Sequence, residues 1–219
     1  GEQRFLVHRA HPGARPRRQP YVRPMPNPNY RRNLALALVF ACLLLAAKTA
    51  QAQQTTAVRV PSNSVRVDGR LDEDFWSEVP PIVDFVQKEP VEGAAPTERT
   101  EIRFVYDDEA LYVGARMHSS GGRAAIQAPL GRRDSGELAE YVLISLDTYL
   151  DRRTAYSFGV TAAGVRLDHY HGSDNEAAVD RGFDPVWRAR VTIDDTGWTA
   201  EMWIPLSQLR YNNVGGQTW

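Results

Sequence analysis

The feature that most constrains the fold is a strict alternation of large and small side chains in residues 155–161, "AYSFGVT". The large apolar members are Tyr156, Phe158 and Val160. The small members between them include Ser157, Gly159 and Thr161. Because successive side chains of a strand point to opposite faces, the pattern predicts a strand with one face in a core. The small face has two interpretations. It is either a groove, which could admit a ligand or a second protein layer, or an ordinary solvent face.

Short alternating segments of this kind recur along the chain and are separated by turn residues. They cover residues 58–60, 65–69, 100–106, 110–119, 139–147, 165–171, 187–193 and 198–204. The turn residues 107–109 and the sequence "DDTG" predict two hairpins, and residues 172–185 are polar enough to predict a loop. Regular strands joined by turns predict an all-β fold, an antiparallel β-sandwich of the jelly-roll or immunoglobulin-like kind.

Helix is restricted to one or two short turns in this interpretation. Residues 71–79, "LDEDFWSEV", predict one, with Asp72 as its N-cap and acidic residues in its first turn. Residues 205–210, "PLSQLR", predict another. We expect Trp76, Trp187 and Trp198 to lie in the core.

The N-terminal part differs in composition from the rest and predicts an export signal. Residues 1–24 are basic, rich in proline and without apolar periodicity, and we treat them as a non-native or disordered upstream segment. Residues 25–52 combine arginines, the apolar run 34–47 and a small-x-small end, which predicts a signal peptide cleaved after Ala52. Cys42 makes a lipoprotein signal the alternative, although Phe40 and the apolar residues after Cys42 fit that pattern poorly.

Residues 53–219 form the predicted mature domain, and its charge limits its partners. It holds 17 Lys and Arg against 26 Asp and Glu, a net charge of −9. An acidic domain argues against nucleic acid and is compatible with cations or neutral ligands. The segment contains no cysteine, so cleavage after Ala52 would exclude disulfide and thiol chemistry.

Polar side chains on both sides of the predicted central strand 139–147 are the main candidate ligand-binding residues. They are Arg132, Arg133, Asp134, Tyr149, Arg152 and Arg153. Arginine and aspartate can hydrogen-bond hydroxyl groups, and a tyrosine ring can stack on a ligand. The alternative is a set of loop ion pairs that fix the strand ends or dock a neighbouring domain.

Trp203 is a further candidate because it alternates out of phase with the apolar residues of its strand. An outward tryptophan offers a flat apolar ring to a pyranose, and it suits a domain interface equally well.

Two kinds of metal site are considered. His169 and His171 share one strand face and could ligate a transition metal, although no third ligand is fixed by spacing. Calcium requires oxygen ligands, which residues 107–109, 173–176 and 194–195 could supply, although exposed acidic turns look the same in sequence.

The sequence contains none of the catalytic motifs considered. We find no nucleophile elbow, zinc-protease motif, phosphate loop or dinucleotide fingerprint, and no residue is predicted to be catalytic. A glycosidase carboxylate pair has no sequence signature that would single it out.

Several long segments carry a family resemblance. They are residues 65–117, "LGRRDS" (130–135), residues 146–168, residues 184–211 and the final "TW". Together they resemble carbohydrate-binding-module family 9-like domains, and most closely a subgroup that precedes a large outer-membrane-type β-barrel. The resemblance spans about Val58 to Trp219. It implies a β-sandwich that binds oligo- or polysaccharides, with structural calcium in some members and no catalysis by the module.

The resemblance is weaker at the sugar site of the family. A tryptophan of the family's clamp would fall near Glu137, an arginine at about Gly159, and the second clamp tryptophan beyond Trp219. The primary hypothesis is therefore non-catalytic saccharide binding by an exported module of a larger cell-envelope protein. The first alternative is a structural module that docks on its own C-terminal barrel without sugar affinity. The second is an accessory domain of a glycoside hydrolase. We expect the periplasm, outer membrane or extracellular space as the location, and a chain that continues beyond Trp219.

Overall fold

The computed structural model describes residues 55–136, 138–175, 178–212 and 214–219. The predicted signal peptide 25–52, the segment 1–24 and Cys42 lie outside the described residues. The chain divides into two units, Gly1–Gln51 and Ala52–Trp219, and all that follows concerns the second. Within the described ranges, no helix combines the length and the apolar character needed to cross a bilayer.

Nine strands and one short α-helix make up the described domain. The strands are β1 (Val58–Arg59), β2 (Thr100–Tyr106), β3 (Ala110–His118), β4 (Tyr141–Leu146), β5 (Ala155–Thr161), β6 (Arg166–His171), β7 (Val179–Asp180), β8 (Arg188–Asp194) and β9 (Gly197–Pro205). The helix α1 is Asp74–Glu78, and 3₁₀ turns occur at Arg123–Ala125 and Leu206–Gln208.

The strands form two sheets. The five-stranded sheet has the order β1-β2-β3-β9-β8, and the four-stranded sheet has the order β4-β5-β6-β7. All neighbouring strands are antiparallel except β1 and β2, which are parallel. The predicted all-β sandwich is confirmed, as are the hairpins β2–β3 and β8–β9.

The main core fills the space between the two sheets. The alternating residues Tyr156, Phe158 and Val160 point into it, and Phe158 and Val160 are fully buried. From the other sheet, β9 contributes Trp198, Ala200, Met202 and Ile204, as the alternation predicts. Burying about 25 cal/mol per Å² of apolar surface makes this layer the principal source of stability.

A second apolar layer covers the outer face of the five-stranded sheet. Trp76 of α1 is 2% exposed and packs with Val79, Val105 and Tyr112. Gly114 permits this approach, because a Cβ there would lie 2.8 Å from the Trp76 ring. The tryptophans expected in the core, Trp76, Trp187 and Trp198, are each at most 2% exposed.

Three local expectations are wrong. Residues 65–69 form no strand, because the amides of Asp68 and Gly69 donate to the Glu201 carboxylate instead of to a neighbouring strand. Asp72 is not the N-cap of α1: Glu73 holds that position, without a side-chain capping bond. The predicted loop 172–185 contains β7, which pairs with the end of β6.

The small face of β5 is neither an open groove nor an ordinary solvent face. Ser157 and Thr161 are fully buried, and Ser157 shares a 2.8 Å hydrogen bond with Ser145 of β4. The space above Gly159 is filled from both neighbouring strands, since a Cβ there would lie 2.6 Å from Leu143 and 3.4 Å from Leu167. The small residues therefore make room for side chains of the same sheet.

Candidate functional site

The residues before β4 belong to an internal ion-pair network. Arg133 donates from Nε and Nη2 to the two Asp168 carboxylate oxygens, at 2.9 and 2.7 Å. It also pairs with Asp184 and donates to the Pro185 carbonyl oxygen at 3.2 Å. The Asp168 side chain is fully buried and accepts a 3.2 Å bond from the Trp187 indole. The Arg133 guanidinium therefore links the segment before β4 to β6 and to the segment before β8.

Asp134 also bonds to β6 and has a structural role. Its Oδ1 accepts the Asp168 amide at 2.9 Å, and its own amide donates to the Arg166 carbonyl oxygen at 3.0 Å. Its φ of 62° is left-handed, a conformation that aspartate tolerates better than most residues. Arg132 beside it is exposed.

The loop between β4 and β5 contains the other group of predicted residues, and two aspartates shape it. Asp147 accepts the amides of Asp151 and Arg152 at 3.0 and 2.7 Å. Asp151 accepts the amides of Arg153 and Thr154, both at 2.8 Å, which lowers the pKa of its carboxyl. These bonds use backbone groups of the arginines and leave both guanidinium groups exposed.

The two predicted groups lie at opposite ends of β4. Asp134 bonds to Arg166, which pairs with Val160, and Val160 pairs with Val142 near the start of β4. Arg152 bonds to Asp147, directly after the last residue of β4. The structure therefore does not join them into one ligand-binding edge.

Trp203 lies on the outer face of the five-stranded sheet, as its alternation predicts, but its ring is partly covered. The Arg188 guanidinium lies 4.3 Å from the ring centroid, and the side chain packs against the second apolar layer. A cation over the ring is a favourable contact, and a stacking sugar would have to displace it.

The most suitable candidate site is a cleft of about 510 Å³ at one end of the sandwich. It includes one predicted residue, Tyr149, which is 42% exposed. The lining residues are Asp108, Tyr149, Leu206, Ser207, Leu209, Arg210 and Tyr211. They come from both sheets: the β2–β3 turn, the β4–β5 loop and the segment after β9. We call this the end cleft.

Hydrogen bonds between the segments fix the walls of the end cleft. Thr148 is buried beside Tyr149 and donates from its hydroxyl to the Arg210 carbonyl oxygen at 2.6 Å. The amide of Leu206 donates to the Glu109 carbonyl oxygen at 2.8 Å, which links the segment after β9 to the β2–β3 turn. The site is therefore built before any ligand binds, and such preorganisation favours affinity.

The chemistry of the end cleft is mixed. Tyr149 and Tyr211 supply aromatic surface, and Tyr211 is supported by Trp219, 5.5 Å away between ring centroids. Arg210 is exposed, and its guanidinium forms no ion pair with any described residue. Asp108 pairs with the exposed Arg59 at 2.5 Å, a contact that water and ligands can replace. The cleft thus offers hydrogen-bond donors and acceptors beside aromatic rings.

A second, larger cleft of about 580 Å³ lies on the outer face of the five-stranded sheet. Four of its charged residues pair with each other. Arg116 donates to both oxygens of Asp194 at 2.6 and 2.9 Å, and Arg103 donates to Glu101 at 2.9 Å. Arg70 and Asp72 also line the cleft, and both are exposed. Its tryptophan, Trp76, is buried, so this cleft, unlike the end cleft, offers a ligand no exposed aromatic ring.

Two of the expected calcium ligands serve other purposes. Asp107 accepts the amides of Glu109 and Ala110, both at 2.9 Å, and a 3.0 Å bond from the Tyr112 hydroxyl. Asp194 is bound to Arg116, which lowers the pKa of its carboxyl. In the candidate segment 173–176, Glu176 lies outside the described residues. Among the described residues, no three His, Cys, Asp or Glu side chains are placed to hold one metal ion.

Sequence reasoning missed most of the end cleft. Arg210 ends the segment 205–210, which predicts only a helical turn, and Tyr211 follows that segment. Asp108 is expected only as a turn residue or a calcium ligand. Their common feature is an exposed polar or aromatic side chain directly after a strand, which is a weak signal without the topology.

Comparisons with known proteins find similar solved structures at low sequence identity. A carbohydrate-binding module of family 9 from Caldicellulosiruptor kristjanssonii, solved with cellotriose, is 18% identical, with 69% of this chain and 68% of that chain covered and a TM-score of 0.45. A family 9 module from the same organism, solved with glucose, is 17% identical, with 73% of each chain covered and a TM-score of 0.45. A protein of known crystal structure from Bacteroides uniformis is 15% identical, with 73% of this chain and 75% of that chain covered and a TM-score of 0.47. Neither family models nor curated proteins give a match.

Proposed function

We propose that this domain is a non-catalytic saccharide-binding module and that the end cleft holds the sugar. The observation that carries the proposal is the exposed Tyr149 beside Arg210 and Asp108 in a cleft of about 510 Å³. A pyranose has apolar C–H faces that stack on aromatic rings and hydroxyl groups that both donate and accept. The cleft offers all three kinds of partner, and its volume falls in the range of small-ligand sites.

The lining of the end cleft favours binding over hydrolysis. Among its described lining residues, Asp108 is the single carboxylate. Most glycoside hydrolases use two carboxyl groups on either side of the scissile bond. The family resemblance of the sequence points in the same direction, because it implies a module without catalysis.

The test is saccharide binding by the full chain. A glycan array selects a ligand, with glucose and cellotriose among the first probes, and calorimetry with and without calcium measures its affinity. We expect Tyr149→Ala to weaken binding about tenfold, or about 1.4 kcal/mol. The matched control is Tyr141→Ala, which removes a 55% exposed tyrosine at the other end of β4.

The outcomes separate the function from the site. If no saccharide binds, the proposed function is wrong. If a saccharide binds and Tyr141→Ala weakens it as much as Tyr149→Ala, the function stands and the end cleft is the wrong site. An affinity that requires calcium would show that a cation contributes to the site or to its folding.

A docking role without sugar affinity is the second candidate, because of a specific surface. The connection before β4 exposes Leu130 by 89% and Leu138 by 84%, and Tyr141, the first residue of β4, is 55% exposed. Large apolar side chains exposed along one short segment are typical of interaction sites. In this proposal the loop packs on a C-terminal β-barrel of a longer envelope protein. A negative glycan array, together with protection of this loop from proteolysis in that protein, would support it.

Export is part of both proposals. The arginines, apolar run and small residues of segment 25–52 support cleavage after Ala52. N-terminal sequencing of the product recovered from the envelope should begin at Gln53. A product that retains residues 34–47 would contradict the signal peptide.

A further inference from the structure

The outer face of the four-stranded sheet carries a close pair of imidazoles. His169 and His171 alternate on the same face of β6, and their Nε2 atoms are 3.1 Å apart. The ring centroids are 4.8 Å apart, and the ring planes meet at 70°. Both side chains are half-buried, so they are held in place and yet reachable from solvent.

The separation of the two nitrogens matches that of two ligands of one metal ion. Two nitrogens each about 2.05 Å from a metal lie about 2.9 Å apart at a right angle and about 3.3 Å apart at the tetrahedral angle. The observed 3.1 Å lies between these values. Without a metal the same distance fits a shared proton, donated by one neutral ring and accepted by the other.

The two Nε2 atoms face each other, so a metal ion bound by both would replace the hydrogen bond between them. A neutral imidazole has a free lone pair, which is the form that a metal ion binds.

His169 lies on a strand that is paired on its sheet. His169 is the cross-strand partner of Ser157, which is fully buried and bonded to Ser145 on the next strand. His171 is held between Ala155 and Val179 by its strand neighbours. Metal ligands on paired strands need little rearrangement, which reduces the cost of binding.

We propose that His169 and His171 bind one divalent transition-metal ion, such as Cu²⁺, Ni²⁺ or Zn²⁺, through their Nε2 atoms, with water completing the coordination. Nitrogen ligands select these ions over Ca²⁺ and Mg²⁺, which prefer oxygen. The site is independent of the end cleft and of the proposed saccharide binding.

The experiment is a Cu²⁺ titration of the full chain at pH 7.5, followed by calorimetry and electron paramagnetic resonance. The parent protein carries His8→Gln and His11→Gln, so that the three histidines outside residues 1–54 are the only ones left. We expect one Cu²⁺ per chain, with a spectrum of two nitrogen ligands. His169→Gln and His171→Gln should each weaken binding at least about tenfold. Binding should also weaken as the pH falls to 5.5, because protons compete for the same nitrogens.

His118→Gln is the matched control. His118 is also half-buried on a strand, but its Nε2 contacts the Glu101 carboxylate at 3.1 Å and no second histidine. We expect this variant to bind Cu²⁺ within about twofold of the parent. Absence of binding in the parent, or an equal loss in His118→Gln, would overturn the proposal and leave the pair a hydrogen bond only.

A measurement on the parent alone covers the case in which a variant fails to fold. Histidine ring protons are followed by NMR during addition of Zn²⁺. We expect the ring signals of His169 and His171 to shift together with one midpoint, while those of His118 stay in place. Uniform changes at all three rings would contradict a specific site.

Discussion

Two segments of the same composition flank strand β4 and have opposite roles. The sequence "RRD" (132–134) precedes the strand, and "DRR" (151–153) lies in the loop after it. In the first segment Arg133 and Asp134 are bound to Asp168 and fix the sandwich. In the second the aspartate shapes the loop, and the two guanidinium groups are exposed.

The difference arises from what the topology places opposite each segment. β6 presents the Asp168 carboxylate toward the interior, where it has no access to water and requires a cation. Arg133 is the described residue that supplies one. Among the described residues, no buried carboxylate pairs with Arg152 or Arg153, so both guanidinium groups remain exposed. A charged triplet therefore has no fixed role until its neighbours are known.

The largest expected effect comes from removing the ion pair between Arg133 and Asp168, which the first segment forms and the second does not. Arg133→Met should lower the free energy of unfolding by about 3 kcal/mol, because it leaves the fully buried Asp168 carboxylate without its cation. Arg152→Met is the matched control, since it removes an exposed guanidinium and retains the backbone bond to Asp147. We expect a change below about 0.5 kcal/mol there.

Urea denaturation of the two variants and the parent provides the measurement. Equal small effects would mean that the Arg133 network contributes little to stability. Equal large effects would mean that the guanidinium of Arg152 also has a structural role. Either result would remove the contrast between "RRD" and "DRR".

Alternation in the sequence predicted the strands and their inner faces well. Phe158 and Met202 lie where the period of two places them, and both are fully buried. The same pattern could not show what covers an outer face. Trp203 points outward as predicted, yet Arg188 and the segment around α1 cover it.

The site was less predictable for a related physical reason. Tyr149 was identified from its exposed loop position, but its partner Arg210 comes from a segment 61 residues later on the other sheet. Periodicity reports the direction of a side chain and carries no information on which segments meet at one end of the sandwich. For the same reason, the alternative of ion pairs at the strand ends could not identify Asp168 as the partner of Arg133.

A second prediction concerns the buried carboxylate that lacks a cation. Glu201 and Asp168 each accept a bond from a tryptophan indole, Trp76 and Trp187 respectively, and only Asp168 pairs with an arginine. Burial raises the pKa of Glu201 to about 7, although the amides of Asp68 and Gly69 act in the opposite direction. The folded protein therefore holds this proton more tightly than the unfolded chain does.

This difference determines the direction in which the free energy of unfolding changes with pH. The contribution of Glu201 to stability is fully present below about pH 4.5 and is lost as the pH rises through about 7. We expect a decrease of about 3 kcal/mol in the free energy of unfolding across that window. Glu201→Gln should flatten the dependence, while Arg152→Met, which removes an exposed guanidinium, should leave this window intact. A parent whose stability is constant from pH 4.5 to pH 8 would contradict the assignment.

The smallest effect compares the two left-handed residues of the segments, Asp134 with a φ of 62° and Arg152 with a φ of 57°. Glycine relieves about 1 kcal/mol of backbone strain at such a position and loses about as much through the entropy of the unfolded chain. Arg152→Gly should therefore stay within about 0.5 kcal/mol of the parent. Asp134→Gly also loses the bond from the Asp168 amide and should be less stable by about 1 kcal/mol. Denaturation of both variants under one set of conditions measures the difference directly. If Asp134→Gly is as stable as Arg152→Gly, the Asp134 side chain does not hold its loop to β6, and Arg133 alone distinguishes the two segments.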